Sequence, residues 1–337
     1  MRDHMENNTT NIVRTVWDPA EKKLFGRKVD FINWGVLLYY VTIMAVSIGW
    51  MILYMIVAGV IAGIKGNLSS FDSIADHFLE TDGGMIAAVI VGSAVMMLFM
   101  MKRVRVREIF AKQKKMTFPA FIGLLFVFMS FQLPTIIMYS AGEMFLNLFG
   151  FSVESAMESA SANSTSLSMM IYVGFCAPFF EEFIFRGFIM KAYSKTDCGK
   201  FLAIAMSASL FGIMHGNPVQ IFYAAAVGVV LGYTAMEYGI IWSILLHFLN
   251  NFVFGDVVTL LTQKLSDQVQ TVINLSMFGV FFVGGIFVLI LNGKKIAAYI
   301  RENICDKRYV LRSFLSVPLI IFAAICAFEA VMLIQKL

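Results

Sequence analysis

The stretch MMIYVGFCAPFFEEFIFRGFIM, residues 169–190, holds two adjacent glutamates, Glu181 and Glu182, and one arginine, Arg186, inside an otherwise apolar run. Its length is that of a membrane-spanning helix, which needs about 20 apolar residues. Charged side chains at bilayer depth are costly unless they are paired or put to use, so this run sets the fold class and marks where to look for chemistry.

The rest of the chain repeats the apolar theme. Of 337 residues, 59% are hydrophobic and 14% charged, and the charges gather in short runs, the profile of a polytopic membrane protein. Nine segments read as helical spans with soft ends: 33–64, 84–101, 119–149, 166–190, 201–216, 218–236, 239–256, 271–292 and 313–334. The expected fold is therefore all-α, a transmembrane helical bundle of eight to nine spans. Pro134 is expected to kink the third. Gly216-Asn217-Pro218 alone joins the fifth to the sixth, so one of those two is expected to be short or to stop partway through the membrane. With no internal repeat and no long polar linker, the chain reads as one membrane domain in four parts: a polar segment 1–32, first helices 33–149, a core 150–257 and last helices 258–337.

Lysine and arginine set the orientation. Segment 102–118 carries seven of them and segment 293–312 six, so both are expected in the cytoplasm. Segment 66–83 is acidic through Asp72, Asp76, Glu80 and Asp82, and 150–165 is rich in Ser, Ala and Asn; both are expected outside. Nine alternating spans with a cytoplasmic N-terminus satisfy all four assignments and leave the C-terminus outside. The first thirty residues lack the apolar core and cleavage site of a secretory signal, so insertion is expected to begin with the first span. The net charge of +4 is accounted for by these membrane-flanking clusters, and nucleic acid is not an expected partner. Cys176, Cys198, Cys305 and Cys326 form no CxxC pair and are expected to be free thiols.

Three apolar segments carry polar groups at depth. Glu182 and Arg186 are four apart with the acid first, the favourable order for an ion pair on one helix face. Glu181 sits about 100° around the helix and has no such local partner. The fifth segment ends in Phe211-Gly212-Ile213-Met214-His215, and the seventh contains His247-Phe248-Leu249-Asn250-Asn251, with His247 and Asn251 at i and i+4. His4 and His77 fall in polar segments. At about 1.5 Å per residue, Glu181 and His247 each lie roughly 15 Å from their cytoplasmic helix ends and His215 about 22 Å from Lys200. Comparable depth on three helices favours a shared polar cavity.

Each group also has a plainer reading. Glu182 with Arg186 is equally readable as a buried ion pair that fixes packing. A membrane histidine or asparagine often serves as an interhelical hydrogen bond. The phenylalanines around the glutamates read as packing, and Cys176 as a small apolar residue.

Glu-Glu-x-x-x-Arg, then Phe-x-x-x-His, then His-x-x-x-Asn, in that order over roughly 166–256, resembles the three motifs of the CPBP family, the CAAX-protease and bacteriocin-processing (Abi) intramembrane proteases that include type II CAAX prenyl endopeptidases. The resemblance implies that Glu181 is the general base that activates water, with Glu182 and Arg186 supporting it. It implies that His215 belongs to the same centre, and that His247 and Asn251 polarise the scissile carbonyl and stabilise the oxyanion. It also implies a multi-pass protein of a bacterial cell membrane whose partners are membrane lipids and a peptide or protein substrate, lipidated or not. No cofactor is expected, although two histidines and two carboxylates also suit zinc. There is no His-Glu-x-x-His pair, and neither Gly-x-Ser-Gly nor Gly-x-Gly-Asp occurs.

The expected function is intramembrane hydrolysis of a peptide bond by glutamate-activated water. Two other readings stay open: a non-proteolytic bacteriocin-immunity or peptide-binding protein, and a proton-coupled transporter, since the same residue types build proton relays. Substrate identity and oligomeric state are not legible in the sequence.

Overall fold

A computed structural model of the chain describes residues 18–66, 83–111, 113–161, 167–196 and 198–337. The acidic stretch 67–82, His4 and His77, and residues 162–166 lie outside them.

The described chain is built almost wholly of helices: α1 (Pro19–Lys65), α2 (Gly84–Met100), α3 (Phe118–Met129), α4 (Gln132–Asn147), α5 (Glu154–Ser161), α6 (Leu167–Ser194), α7 (Gly199–Met214), α8 (Gln220–Glu237), α9 (Ile240–Thr262), α10 (Asp267–Asn303), α11 (Lys307–Phe314) and α12 (Val317–Met332). Among the described residues the extended structure is one two-residue pair, Phe151–Ser152 with Gln335–Lys336. The all-α membrane architecture expected from hydropathy is present.

The span count is lower than the eight to nine expected. Among the described residues six spans are long and apolar enough to cross a bilayer, namely α1, α3 together with α4 (Phe118–Asn147), α6, α8, α9 and α10, with a seventh if α11 and α12, bent by 58° where they meet, form one span. The two that fall short are α2 and α7, which correspond to the expected spans 84–101 and 201–216. For α7 the reason is visible: Leu202, Ala203, Met206, Leu210 and Phe211 are buried in protein, so packing rather than lipid thickness sets its length.

The expected kink of the third segment is a break at Ser130 and Phe131, between α3 and α4. Pro134 has no N–H to give the Ser130 carbonyl, and its ring crowds that carbonyl four residues back, so the helix is interrupted one turn upstream of the proline. Gly216, with φ +55°, closes α7 and turns the chain through Asn217-Pro218 into α8. The Asn217 side chain accepts from the Val219 amide and donates to the Ala156 carbonyl, which anchors that turn.

Chain ends and connections sort to two sides. On one, Glu237 takes Lys114 at 2.5 Å, Lys200 at 2.7 Å and the Tyr299 hydroxyl at 3.0 Å, while Lys195 bonds Glu108 and Arg312 bonds Asp30. Lys195 is the first reason that Glu108 is held below the ordinary glutamate range. On the other side, Ser155 bonds the Leu333 carbonyl and the two-residue strands pair. The basic segments thus gather at one end and the C-terminus lies at the other.

α1 packs along α2 and α12, α7 along α8, and α3 along α10. The main core lies where α1, α2, α6 and α7 meet, around Tyr39, Phe185, Phe188, Tyr193 and Phe211. The helices that carry the polar motifs, α6, α7 and α9, are therefore held from several sides.

Candidate active site

Neither α6 nor α9 is a regular α-helix. In α6, π-helical turns at Tyr172–Cys176 and Phe183–Ile189 flank a short α segment, Ala177–Glu182, and Leu249–Val257 of α9 is π-helical. Pro178 contributes to the first, because its missing N–H removes the bond that would close an α turn there. Such widened turns are frequent at functional sites, and here they fall directly beside the glutamates and after His247.

Glu182 is fully buried and triply held. Its Oε1 takes Arg186 Nη1 at 2.8 Å and faces His247 Nδ1 at 3.0 Å, and its Oε2 takes the Ser243 hydroxyl at 2.5 Å. Arg186 is itself buried, donates to the Gly228 carbonyl at 3.3 Å and lies 4.3 Å over the Phe211 ring. Gly228 eases that approach, since a Cβ there would come within 3.2 Å of Arg186 Nη2 and 3.1 Å of Ala208, and a neighbour would have to give by a few tenths of an ångström. The ion pair foreseen from the i, i+4 spacing is present, with α8 and α9 completing its coordination.

His247 joins the two carboxylates. With Nδ1 on Glu182, its Nε2 faces Glu181 Oε2 at 3.8 Å, wider than a direct hydrogen bond. The Glu181 side chain is 14% exposed where that of Glu182 is 0%, so the two adjacent acids occupy different environments. His215 caps α7, with Nδ1 2.8 Å from the Phe211 carbonyl, its ring edge-on to Phe211 at 4.9 Å; Phe211 also packs edge-on to His247 at 5.9 Å. It lies within electrostatic reach of Glu181, His247 and Arg186.

Asn251 is placed differently. Its Nδ2 donates to the Val173 carbonyl at 3.0 Å and its Oδ1 accepts from Asn250 at 2.8 Å. An amide nitrogen has two hydrogens, so one donor remains beyond the bond to Val173. The structure thus brings together Glu181, Glu182, Arg186 and His247, sets His215 against them through Phe211, and ties Asn251 to α6 one turn further along α9.

Sequence reasoning missed several contributors. Ser243 lies four residues before His247 on the same helix face, a spacing that points to it. Gln132, Tyr223 and Asn250 form a network in which Gln132 Nε2 reaches the Tyr223 hydroxyl at 2.6 Å and Asn250 Oδ1 at 3.0 Å. Within this network Asn250 alone, adjacent to Asn251, left a local signal.

The donor set for zinc is not assembled: among the described residues no three His, Cys, Asp or Glu side chains converge as metal ligands. His247 Nδ1 and both oxygens of Glu182 are engaged with protein groups. Among the described residues no disulfide joins Cys176, Cys198, Cys305 or Cys326.

The molecule is a multi-pass helical membrane protein with a buried carboxylate–histidine site. Residues 163–253, the stretch that holds every one of these motif residues, match the family model described as type II CAAX prenyl endopeptidase Rce1-like. That match bears out the family resemblance drawn from the motifs and supports CAAX-type peptidase activity in general. Comparison with curated proteins and with solved structures returned no match.

Proposed function

We propose that the protein is an intramembrane endopeptidase that hydrolyses a peptide bond of a membrane-associated or lipid-modified peptide with water activated by Glu181. The observation that carries this reading is the bridging of Glu181 and Glu182 by one imidazole, with Glu182 fixed by Arg186 and Ser243 and Glu181 left toward the partly open side.

In this mechanism Glu181 takes a proton from water as the oxygen attacks the scissile carbonyl carbon. Negative charge passes to the carbonyl oxygen, and donors fixed in a low-dielectric site meet it. Glu182 accepts from His247 Nδ1–H, which sets the ring orientation and supports the imidazolium; Nε2–H then faces the developing oxyanion. His215 and the remaining N–H of Asn251 supplement it. Collapse of the tetrahedral intermediate breaks the C–N bond, and Glu181 returns its proton to the leaving amine. Every step uses protein groups and one water.

The basic segments gathered at one end of the bundle support a cytoplasmic face there, with the N-terminal side of α1 on that face; the bacterial cell membrane rests on the motif resemblance alone. Glu181→Gln tests the function. Membranes from cells carrying this variant should accumulate the same uncleaved peptides as membranes of a deletion strain. Normal processing by a correctly inserted Glu181→Gln protein would overturn the assignment, and protection against a toxic peptide that survives Glu181→Gln would favour peptide binding without cleavage.

A further inference from the structure

We propose that Tyr39 of α1 is a further catalytic residue, whose hydroxyl holds the water that Glu181 activates; this rests on the reading of Glu181 as general base. Tyr39 lies outside residues 163–253, so the family match does not reach it. Its placement is set from two sides. Phe185 follows Glu181 by about one turn of α6, and the Tyr39 ring packs edge-on to Phe185 at 6.4 Å. From the other side α2 packs against the Ala177–Glu182 portion of α6, and Gly92 of α2 meets the Tyr39 ring, where a Cβ would stand 3.3 Å from it. Ser93 comes next in the chain. Its hydroxyl adjoins that of Tyr39, which also lies within electrostatic reach of Glu181. Three helices thus bring two hydroxyls to the base.

The Tyr39 hydroxyl differs from those of other tyrosines in the bundle. Tyr40, Tyr193 and Tyr223 donate to Glu329, Asn33 and Asn250, respectively. Tyr39 is 1% exposed and Ser93 3%, yet among the described residues neither hydroxyl has a hydrogen-bond partner. Burying a hydroxyl in this way is costly, and a phenylalanine would fill the same space without the cost. An unpartnered polar atom beside a general base points to the reaction rather than to packing.

The chemistry has a use for such a group. An attacking water gives one hydrogen to Glu181 and must aim a lone pair at the scissile carbonyl carbon, so its second hydrogen needs a fixed acceptor. Tyr39 Oη accepts that hydrogen and turns its own toward Ser93 Oγ, since a phenol both accepts and donates. As the C–O bond forms, the first proton passes to Glu181 and the carbonyl π pair moves to oxygen. Tyr39 keeps its own proton throughout. It therefore acts by orienting the nucleophile, and its loss falls on turnover.

The test is Tyr39→Phe in the full purified chain, assayed on the peptides that accumulate in Glu181→Gln membranes and melted alongside wild type. The expected result is a kcat at least tenfold lower, a KM within a factor of two, and a thermal midpoint equal to or above that of wild type. Ser93→Ala, the second variant, should move kcat the same way by a smaller factor. A stable protein that turns over more slowly is what a packing role does not produce. Wild-type kcat in Tyr39→Phe, with Glu181→Gln inactive, would overturn the role of Tyr39 and leave that of Glu181 standing. A lowered midpoint with kcat and KM both impaired would assign Tyr39 to packing and overturn it equally. Normal processing by Glu181→Gln would remove the base, and this proposal with it.

Discussion

The Ser243 hydroxyl lies 2.5 Å from Glu182 Oε2, on the far side of the carboxylate from Arg186 and His247. The same hydroxyl reaches the Leu231 carbonyl at 3.0 Å, so Ser243 ties the carboxylate to both α9 and α8. Ser243→Ala leaves Oε2 buried without its donor, which costs about 1–3 kcal/mol. The freed carboxylate holds His247 less well. The expected result is a fall in kcat with little change in KM, together with a lower thermal midpoint. A variant with wild-type kcat would show that Ser243 serves packing alone.

The two glutamates should separate cleanly. Glu182→Ala strips buried Arg186 of its counter-charge, a loss of about 3–5 kcal/mol for a broken buried pair. It should be scarce in membranes and aggregate early on heating. Glu181→Gln keeps the size of a partly exposed side chain and should insert and melt like wild type while losing proteolysis. Thermal aggregation and peptide cleavage, measured on both variants, give the comparison. Equal destabilisation of the two would contradict the different environments of these neighbours.

What the sequence reveals follows how local each interaction is. Glu182 and Arg186 are one turn apart on one helix, so spacing alone identifies their pair. Glu182 and His247 are 65 positions apart and meet only because α6 and α9 pack together; depth counting suggested a common level but carries no lateral information. Ser243 and Gln132 escaped because one polar residue in an apolar helix looks like ordinary packing. The π-helical turns escaped because their repeat is too close to that of an α-helix to show in a short apolar run. Hydropathy overcounted spans at α7 because protein-buried and lipid-facing helices have the same composition, and at α2 because Gly84–Met100 stops just short of the length of a span.

Asn250 should act through Asn251. Its Oδ1 takes Gln132 and the Tyr223 hydroxyl, and its Nδ2 orients Asn251. Asn250→Ala removes all three contacts and should reduce turnover and stability together, whereas Tyr223→Phe, which spares the Asn250–Asn251 bond, should reduce stability with most turnover kept. If Tyr223→Phe loses as much turnover as Asn250→Ala, the effect runs through helix packing and the assigned order is wrong.

Glu237 supplies the prediction for the charged end. Its side chain is 2% exposed, while its partners Lys114 and Lys200 are 71% and 46% exposed, and Tyr299 adds a hydroxyl from α10. Pairs with such exposed lysines are screened by salt, whose reach shrinks to about 3 Å at 1 M. Glu237→Gln keeps an acceptor for Tyr299 and removes only the charge. The wild-type thermal midpoint should therefore fall as salt rises, and that of Glu237→Gln should start lower and stay nearly flat. Lys114 comes from the connection before α3 and Lys200 from the first turn of α7, so the slope measures how far one buried carboxylate holds these two segments on the basic side of the bundle. Parallel slopes for the two proteins would mean that the lysines contribute nothing through charge and that Glu237 acts through the Tyr299 hydroxyl alone.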